Sequence, residues 1–391
     1  MPILFLTVLI DLIGFGIVIP IMPFLIPDLG GSKIDVALVI VVFSVCAGLV
    51  GPLWGQLSDR IGRKPVILIC LSGVCLSYIL MAFAETLLMV YVARIFAGFM
   101  SGNFGVASAY IADITPPQQR ARRMGVIGAA FGLGMVIGPF MGGVLAGNDG
   151  NFEIPFLTAA AMSALAIIAG FLFLKESLPP QKRAEHAIHH DAQPKQSVFG
   201  MLRSSGNTLL VSQYCLHSTG ITVVSYLFPL WVADLLGWGP KDVGYVFGIQ
   251  GLAMAVLQGK LLGPLAEKLG EFRILFVGVS LMAVGFVLAI MAGSQFWMLA
   301  SFYTVVTGAT MCAPILNSIT SKRTDPHMIG RMMGTSSAFG AMGRVVGPLI
   351  AGLLLAVFGY GAAWAFGLFV AVLFLSWVVM QWRSHGAFEP D

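Results

Sequence analysis

Long apolar runs separated by short polar breaks fill almost the whole chain. A helix needs about 20 mainly apolar residues to cross the hydrocarbon core of a bilayer. Twelve runs meet this length, at about 3–27, 36–57, 65–84, 87–112, 121–147, 154–174, 205–236, 241–262, 272–292, 295–320, 328–357 and 360–382. The pattern therefore predicts an all-α membrane protein with twelve transmembrane helices.

One longer polar break divides these runs into two sets of six. It carries Pro179-Pro180, several charges and the three histidines His186, His189 and His190. We interpret it as a cytoplasmic linker, so that 1–174 forms an N-terminal six-helix bundle, 175–203 the linker and 204–391 a C-terminal six-helix bundle. A polar linker explains the histidines better than a metal site does, and no bound metal is expected.

Composition excludes an ordinary soluble protein. Of the 391 residues 58% are hydrophobic and only 10% are charged, whereas about a quarter of the residues in a typical soluble domain are charged. The surplus apolar side chains must face lipid. The net charge of +4 follows the distribution of basic residues among loops and does not indicate nucleic-acid binding.

The basic residues fix the predicted orientation in the membrane. Of the 22 Lys and Arg residues, 18 lie in one set of loops or in the linker, two (Lys33 and Lys241) lie in the opposite loops, and Arg94 and Arg344 lie within spans. Loops rich in Lys and Arg stay in the cytoplasm. Both termini are therefore expected to be cytoplasmic, as an even number of spans requires.

The two halves repeat one another at an offset of 206–209 residues. The segment 55–62 is echoed by 263–270, and 134–143 is echoed by 343–352. At an offset of 206, Asp11 aligns with His217, which would give the two titratable groups equivalent depths in the two bundles. Internal symmetry of this kind is typical of transporters that work by moving two bundles around a central site.

The connection between the second and third spans carries a specific motif. It reads Gly55-Gln-Leu-Ser-Asp59-Arg60-Ile-Gly62-Arg63-Lys64-Pro65 and resembles the signature loop of the major facilitator superfamily. Gly62 allows a tight turn, and Asp59 can accept hydrogen bonds from a helix N-terminus. The resemblance implies a conformational latch formed by Gly55, Asp59, Arg60, Gly62 and Arg63, with its arginines near Asp113. The alternative is a loop whose charges only set the topology.

Further motifs resemble those of drug/proton antiporters with twelve spans. They are Asp11-xx-Gly14-x-Gly16 in span one, Arg94 in span four, and the antiporter motif formed by Gly134, Gly138, Pro139, Gly142 and Gly143 in span five. The stretch 109–122 resembles the tetracycline/proton antiporters in particular. This resemblance implies a bacterial inner-membrane exporter that is driven by protons and needs no cofactor and no second subunit, so a monomer is expected.

Two positions depart from the tetracycline/proton antiporters. Those exporters carry an aspartate in span three, where this chain has Ser77, and a histidine in span eight, where it has Met254; Gln258 matches a glutamine of the family. We therefore expect the fold and the proton coupling to be shared but leave the substrate open.

Asp11 is the leading candidate for the proton carrier. A carboxylate within a span costs about 3 kcal/mol on insertion scales and therefore usually has a function. Burial favours its neutral form and a nearby guanidinium its charged form, so we expect Arg94 to act as the fixed counter-charge. The alternatives are an Asp11 held by a local hydrogen bond near the membrane surface and an Arg94 that bonds backbone carbonyls of neighbouring spans.

His217 is a second candidate for proton coupling, with a single interhelical hydrogen bond as an equally good interpretation. For Arg344 the sequence predicts a buried partner without identifying it. Polar and aromatic residues in spans that we expect to line a substrate cavity are Asn103, Gln213, Tyr226, Gln250, Tyr303 and Asn317.

The predicted function is proton-coupled export of amphipathic small molecules, drugs or metabolites, by alternating access. The alternative within transport is a narrow-specificity metabolite or siderophore transporter, including a proton symporter that imports its substrate. An enzyme is not expected, because the sequence has no metal-ligand cluster, nucleophile elbow or phosphate-binding loop. A membrane sensor would normally carry an additional soluble domain.

Overall fold

A computed structural model describes residues 2–116, 120–148, 150–179, 207–324 and 329–385. These residues form helices and no strand. The histidines of the predicted linker, His186, His189 and His190, lie outside the described residues.

Fourteen α-helices and one π-helical segment make up the described chain. The helices are α1 (Pro2–Asp28), α2 (Lys33–Ile61), α3 (Arg63–Ala82), α4 (Leu87–Phe99), α5 (Asn103–Asp113), α6 (Arg120–Ala146), α7 (Glu153–Phe173), α8 (Asn207–Leu236), α9 (Pro240–Val256), α10 (Leu262–Leu269), α11 (Glu271–Met291), α12 (Gln295–Arg323), α13 (Ile329–Phe358) and α14 (Tyr360–His385), with the π-helical segment Leu257–Leu261 between α9 and α10.

Ten of the described helical segments are long and apolar enough to cross a bilayer. Two shorter apolar helices, Leu87–Phe99 and Gly132–Ala146, lie in the predicted fourth and fifth spans. The described residues thus agree with an all-helical protein of twelve spans, and large apolar side chains such as Leu49, Leu88 and Phe171 remain exposed for contact with lipid.

The predicted fourth span, 87–112, contains two helices, because the helix is interrupted at 100–102. The Trp54 indole Nε1 donates a hydrogen bond of 2.6 Å to the carbonyl oxygen of Phe99, one of the acceptors that the break leaves without a helical partner. Gly102 leaves room for the indole, since a Cβ there would lie 2.6 Å from the ring. An unsatisfied backbone group is costly in an apolar medium, so this contact stabilises the break.

The described residues group into two units by their contacts. The first holds the described residues of Met1–Ser32, Val42–Lys195 and Trp238–Gly251, and the second those of Lys33–Val41, Gln196–Gly237 and Leu252–Asp391. The beginning of α9 belongs to the first unit because Gly143 of α6 packs directly against Gly244. The domain boundaries predicted from the sequence stay a prediction.

The beginning of α2 belongs to the second unit through polar contacts. The Tyr226 hydroxyl donates a hydrogen bond of 2.8 Å to the carbonyl oxygen of Lys33. Lys33 also forms an ion pair with Asp234, whose carboxylate accepts a hydrogen bond of 2.7 Å from the Tyr360 hydroxyl. These contacts fix Lys33 at the shared end of α8 and α14.

Two glycines at equivalent positions of the repeat make the tight turns between helices. Gly62 precedes α3 with a φ of +108°, and Gly270 precedes α11 with a φ of +82°. Residues other than glycine rarely adopt a backbone conformation with positive φ, which explains why both halves have glycine at this position.

Candidate functional site

Asp11 lies on α1 of the first unit, next to polar side chains from two other helices. The Asn103 side chain, in the first turn of α5, interacts with the Asp11 carboxyl group, although neither amide atom of Asn103 makes a hydrogen bond of standard geometry within the described part of the chain. The Tyr78 hydroxyl of α3 interacts electrostatically with both Asp11 and Arg94. Polar groups of the third and fourth spans thus lie near the partly buried carboxyl group of the first.

Gly14 makes the approach of Tyr78 possible. It lies one helical turn after Asp11, and a Cβ at this position would be 2.6 Å from the Tyr78 hydroxyl oxygen. Tyr78 is a member of the cluster that the sequence reasoning did not select. Its signal was present in the sequence as a polar aromatic residue inside the apolar third span.

Arg94 is buried in the same unit but has no carboxylate partner there. Its guanidinium lies 5.6 Å from the centroid of the Phe43 ring, within the range of a cation–π interaction. Its Nε atom has no hydrogen-bond partner among the described residues. No ion pair joins Arg94 to Asp11 in the part of the chain that the structure describes, so the expected counter-charge contact is not formed in this structure.

The antiporter motif lies against the helix that carries Asp11. A Cβ at Gly138 would be 2.5 Å from the carbonyl oxygen of Ile13, and a Cβ at Gly134 would be 2.5 Å from the Leu12 side chain. Gly142 meets Ile17 in the same way, and Pro139 contacts Gly16. Any side chain at these glycines would push α6 away from α1, so the motif fixes the distance between the two helices.

The signature loop forms a buried polar network around Arg63. Its Nε lies 3.0 Å from Asp113 Oδ2, and its guanidinium lies 2.6 Å from Asp59 Oδ1. Ser177 donates a further hydrogen bond of 3.1 Å to Asp113. Arg60, by contrast, is exposed, and Gly55 is half-buried. Arg63 is therefore the arginine of this loop that meets the acidic end of the fourth span.

Glu176 is a residue of this network that sequence reasoning missed. Its carboxylate accepts backbone hydrogen bonds from Arg63 (2.9 Å) and Lys64 (3.2 Å), the first two residues of α3. A carboxylate at a helix N-terminus satisfies free N–H groups and interacts favourably with the helix dipole. Its only signal in the sequence is an acidic residue next to Lys175, just after the sixth span.

His217 lies on α8 in the second unit and binds a neighbouring helix. Its Nε2 is 2.9 Å from the carbonyl oxygen of Ala309 on α12. A carbonyl oxygen only accepts, so Nε2 carries the hydrogen. This is the single interhelical hydrogen bond that the sequence left open as an alternative to proton transfer.

The six predicted cavity residues have different surroundings. The Gln213 side-chain amide donates a hydrogen bond of 2.9 Å to Gln381 Oε1. The Tyr226 hydroxyl donates to the carbonyl oxygen of Lys33, as described above. Asn317 is exposed and accepts a hydrogen bond of 2.8 Å from the Tyr214 hydroxyl. Gln250, like Asn103, is buried in the first unit, and its Oε1 has no partner within the described ranges. Tyr303 packs against the Phe302 ring at 5.5 Å. The six residues do not form one cluster: Asn103 and Gln250 belong to the first unit and the other four to the second.

Groups of three or more metal-ligating side chains are absent from the described residues. The five cysteines are all unpaired, and Cys70 and Cys312 are buried.

Comparisons with known proteins agree with this arrangement of helices. The family model of the Major Facilitator Superfamily matches residues 4–341 and 210–387. The class C tetracycline resistance protein of Escherichia coli is 30% identical over 370 residues, which cover 92% of this chain and 91% of that protein. Multidrug resistance protein 2 of Bacillus subtilis is 26% identical over 352 residues, with 89% and 86% covered.

Among solved structures, the human organic anion transporter MFSD10 superposes with a TM-score of 0.73 at 25% identity, covering 96% of this chain and 98% of that one. The family, its relatives and the helices point to a multi-pass membrane transporter and not to an enzyme. The chain belongs to the Major Facilitator Superfamily.

Proposed function

We propose that this protein exports amphipathic small molecules in exchange for protons, by alternating access, with Asp11 as the proton carrier. The observation that carries the proposal is that Asp11 is the only acidic residue placed away from the ends of the twelve apolar runs. Acidic groups within membrane spans mark ion and substrate pathways. The drug-resistance relatives support export of drugs, and the structural similarity to MFSD10, an organic anion transporter, adds organic anions as a candidate class of substrate.

The neighbours of Asp11 suggest how it takes up and releases a proton. The Asn103 amide can donate to the carboxylate, and the Tyr78 hydroxyl lies within electrostatic range of both Asp11 and Arg94. Arg94 keeps its charge under all conditions and stabilises a negative charge nearby. A conformational change that alters the exposure of Asp11 or its distance from Arg94 would shift its proton affinity. Such a shift couples the proton to the movement of the bundles.

The Arg63 network serves in this proposal as the conformational latch. Its carboxylates Asp59 and Asp113 come from two spans other than that of Arg63, so separating the fourth span from α3 requires breaking the largely buried pair between Arg63 and Asp113. Breaking a buried pair is costly because each charge is left without compensation. We also infer that both termini are cytoplasmic, that the protein resides in a bacterial inner membrane, and that the monomer is the functional unit.

Inside-out vesicles with an imposed proton gradient test the proposal. The panel contains tetracyclines, cationic dyes and aromatic organic acids, and the variants are Asp11→Asn and Asp28→Asn. Asp28 is an exposed acid at the end of the same helix, so its amide variant is a matched control. We expect at least one compound to dissipate the gradient with the wild type and with Asp28→Asn, and no dissipation with Asp11→Asn.

Equal dissipation with Asp11→Asn would contradict the role of Asp11. If no compound dissipates the gradient but one accumulates together with protons, the protein is a symporter, and the export proposal fails.

A further inference from the structure

Arg344 carries a positive charge in the middle of a membrane helix. It lies 15 residues after the beginning of α13 (Ile329–Phe358), which places it about 22 Å from that end of the helix. An arginine side chain cannot reach the membrane surface over this distance. Its Nη1 instead lies 3.9 Å from the Cβ position of Gly340, so the side chain folds back along its own helix.

No acidic residue of the second half can neutralise this charge within the membrane. The ranges 207–233, 243–266, 272–323 and 328–382 contain neither Asp nor Glu. Within the described residues Arg344 forms no ion pair and no hydrogen bond. Charged groups within spans normally pair with one another or face a water-filled cavity. The unpaired guanidinium of Arg344 is therefore able to take an anion as its partner.

Arg344 lies on the side of α13 opposite its most exposed large apolar residues. The large apolar residues Met342, Leu353 and Val357 are exposed on one side of this helix. Arg344 is rotated from Met342 by about 200° and from Leu353 by about 180°, at 100° per residue. Ser337, two turns before Arg344 and on the same side, is exposed as well. Arg344 and Ser337 are thus exposed polar residues on the same side of α13, opposite the exposed apolar residues.

A hydroxyl group of the neighbouring helix α8 lies near the Arg344 side chain. The Ser218 Oγ of α8 lies 3.2 Å from the Cβ position of Gly340, the same point that the Arg344 guanidinium approaches. Tyr214 lies one turn before Ser218 and donates to Asn317 of α12, whose exposed amide retains its NH₂ group. A guanidinium beside a hydroxyl donor, as with Arg344 and Ser218, can bind a carboxylate or sulfonate.

We infer that Arg344 and Ser218 form a subsite for the anionic group of the transported molecule, so that the substrate class includes amphipathic carboxylates. The inference rests on the proposed transport function and makes it more specific. Asp11 would handle the proton in the first unit, and Arg344 would hold the negative charge of the substrate in the second.

Binding measurements on the purified full chain test this subsite. The probes are benzoate, 1-naphthoate, 4-phenylbutyrate and fluorescein, each paired with its methyl ester, and chloride alone. The variants are Arg344→Met, which introduces the residue that the first half carries at the aligned position (Met135), Arg344→Lys, and Arg383→Met as a control at the end of α14.

We expect at least one acid to bind the wild type about tenfold or more tightly than its ester, since a charge-assisted hydrogen bond is lost in the ester. The ratio of the two affinities should fall to about 1 in Arg344→Met and to an intermediate value in Arg344→Lys, which keeps the charge without the planar fork. Arg383→Met should keep the wild-type ratio. Ester binding that matches the wild type shows that a variant is folded. If Arg344→Met does not fold, the ratio of acid to ester affinity in Arg344→Lys tests the subsite instead.

Three results would overturn the inference: no acid is preferred over its ester, the full wild-type preference persists in Arg344→Met or in Arg344→Lys, or chloride competes as effectively as the acid at equal concentration. The vesicle experiment that tests proton exchange and the binding experiment that tests the subsite can fail independently of each other. Asp11-dependent exchange of cationic dyes without any preference for acids would refute only the subsite. An Arg344-dependent preference for acids without proton flux would refute only the proposed antiport.

Discussion

In the first unit, α6 packs against α1 through Gly134, Gly138 and Gly142, and in the second unit α13 packs against α8 through Gly343 and Gly347. A Cβ at Gly347 would lie 2.5 Å from the Thr222 hydroxyl oxygen, much as a Cβ at Gly138 would meet the carbonyl oxygen of Ile13. The repeat therefore preserves the close approach of two helices, which depends on small residues in both halves.

The charges within these equivalent helices differ. The helix α1 carries Asp11, whereas the aligned position of α8 carries His217, bound to a backbone carbonyl. The helix α13 carries Arg344 where α6 carries Met135. The two halves thus share the glycines at their helix contacts but differ in the charged residues within the helices. This contrast is the basis for assigning the proton to the first unit and the anionic group of the substrate to the second.

The largest effect on stability is expected at the signature loop. Arg63→Met should lower the free energy of unfolding by about 3–5 kcal/mol, because Asp113 and Asp59 lose a buried partner. The equivalent region of the second half contains the pair Lys322–Glu271, in which Lys322 is 70% exposed. Lys322→Met should cost no more than about 0.5 kcal/mol.

Denaturant titration of the purified proteins in one detergent measures both variants. Equal losses at the two positions would show that the signature loop is no more a structural centre than its counterpart in the repeat.

A smaller effect is expected at the glycine contacts. Gly138→Ala introduces a Cβ 2.5 Å from a backbone oxygen, so α6 must shift, at a cost of about 1–3 kcal/mol. Gly132 lies in the same helix with no atom within 4 Å of its Cβ position. Gly132→Ala should be neutral or stabilising by up to about 1 kcal/mol, since alanine favours helix. The same titration compares the two; a stable Gly138→Ala would refute the packing role of the motif.

The smallest effect is expected at the interrupted fourth span. Trp54→Phe removes the hydrogen bond to the Phe99 carbonyl but keeps an aromatic ring beside Gly102, and should cost about 1 kcal/mol. The tenth span, α12, runs unbroken from Gln295 to Arg323 and has no such requirement. Hydrogen exchange at residues 99–103 should increase in Trp54→Phe, with α12 unaffected. Unchanged exchange at the break would show that the indole contributes nothing to it.

The sequence predicted the helices and the family well, because lipid imposes a strong and simple pattern of apolar length. It could not predict the break at 100–102, where Met100-Ser101-Gly102 carries no charge or proline to mark it and the stabilising donor, Trp54, lies on another span. It also did not select Tyr78, which packs against Gly14, one turn after Asp11, only because Gly14 has no side chain.

Partners far apart in the sequence were the least predictable part of the site. Glu176 meets the beginning of α3 across more than one hundred residues, and Arg344 was expected to have a buried partner, which the described residues do not supply. Pairing of this kind depends on rotamers and helix rotation, and a single sequence does not encode either in a readable pattern.

The most direct test of the proton assignment compares two transport modes of Asp11→Asn in the same proteoliposomes. One mode is accumulation of a substrate driven by a pH gradient, and the other is exchange of labelled for unlabelled substrate without a gradient. Neutralising the proton carrier should abolish accumulation and leave exchange near the wild-type rate, because exchange needs the moving bundles but no net proton transfer. Gradient-driven accumulation that persists in Asp11→Asn, or exchange that is lost together with accumulation, would contradict the account.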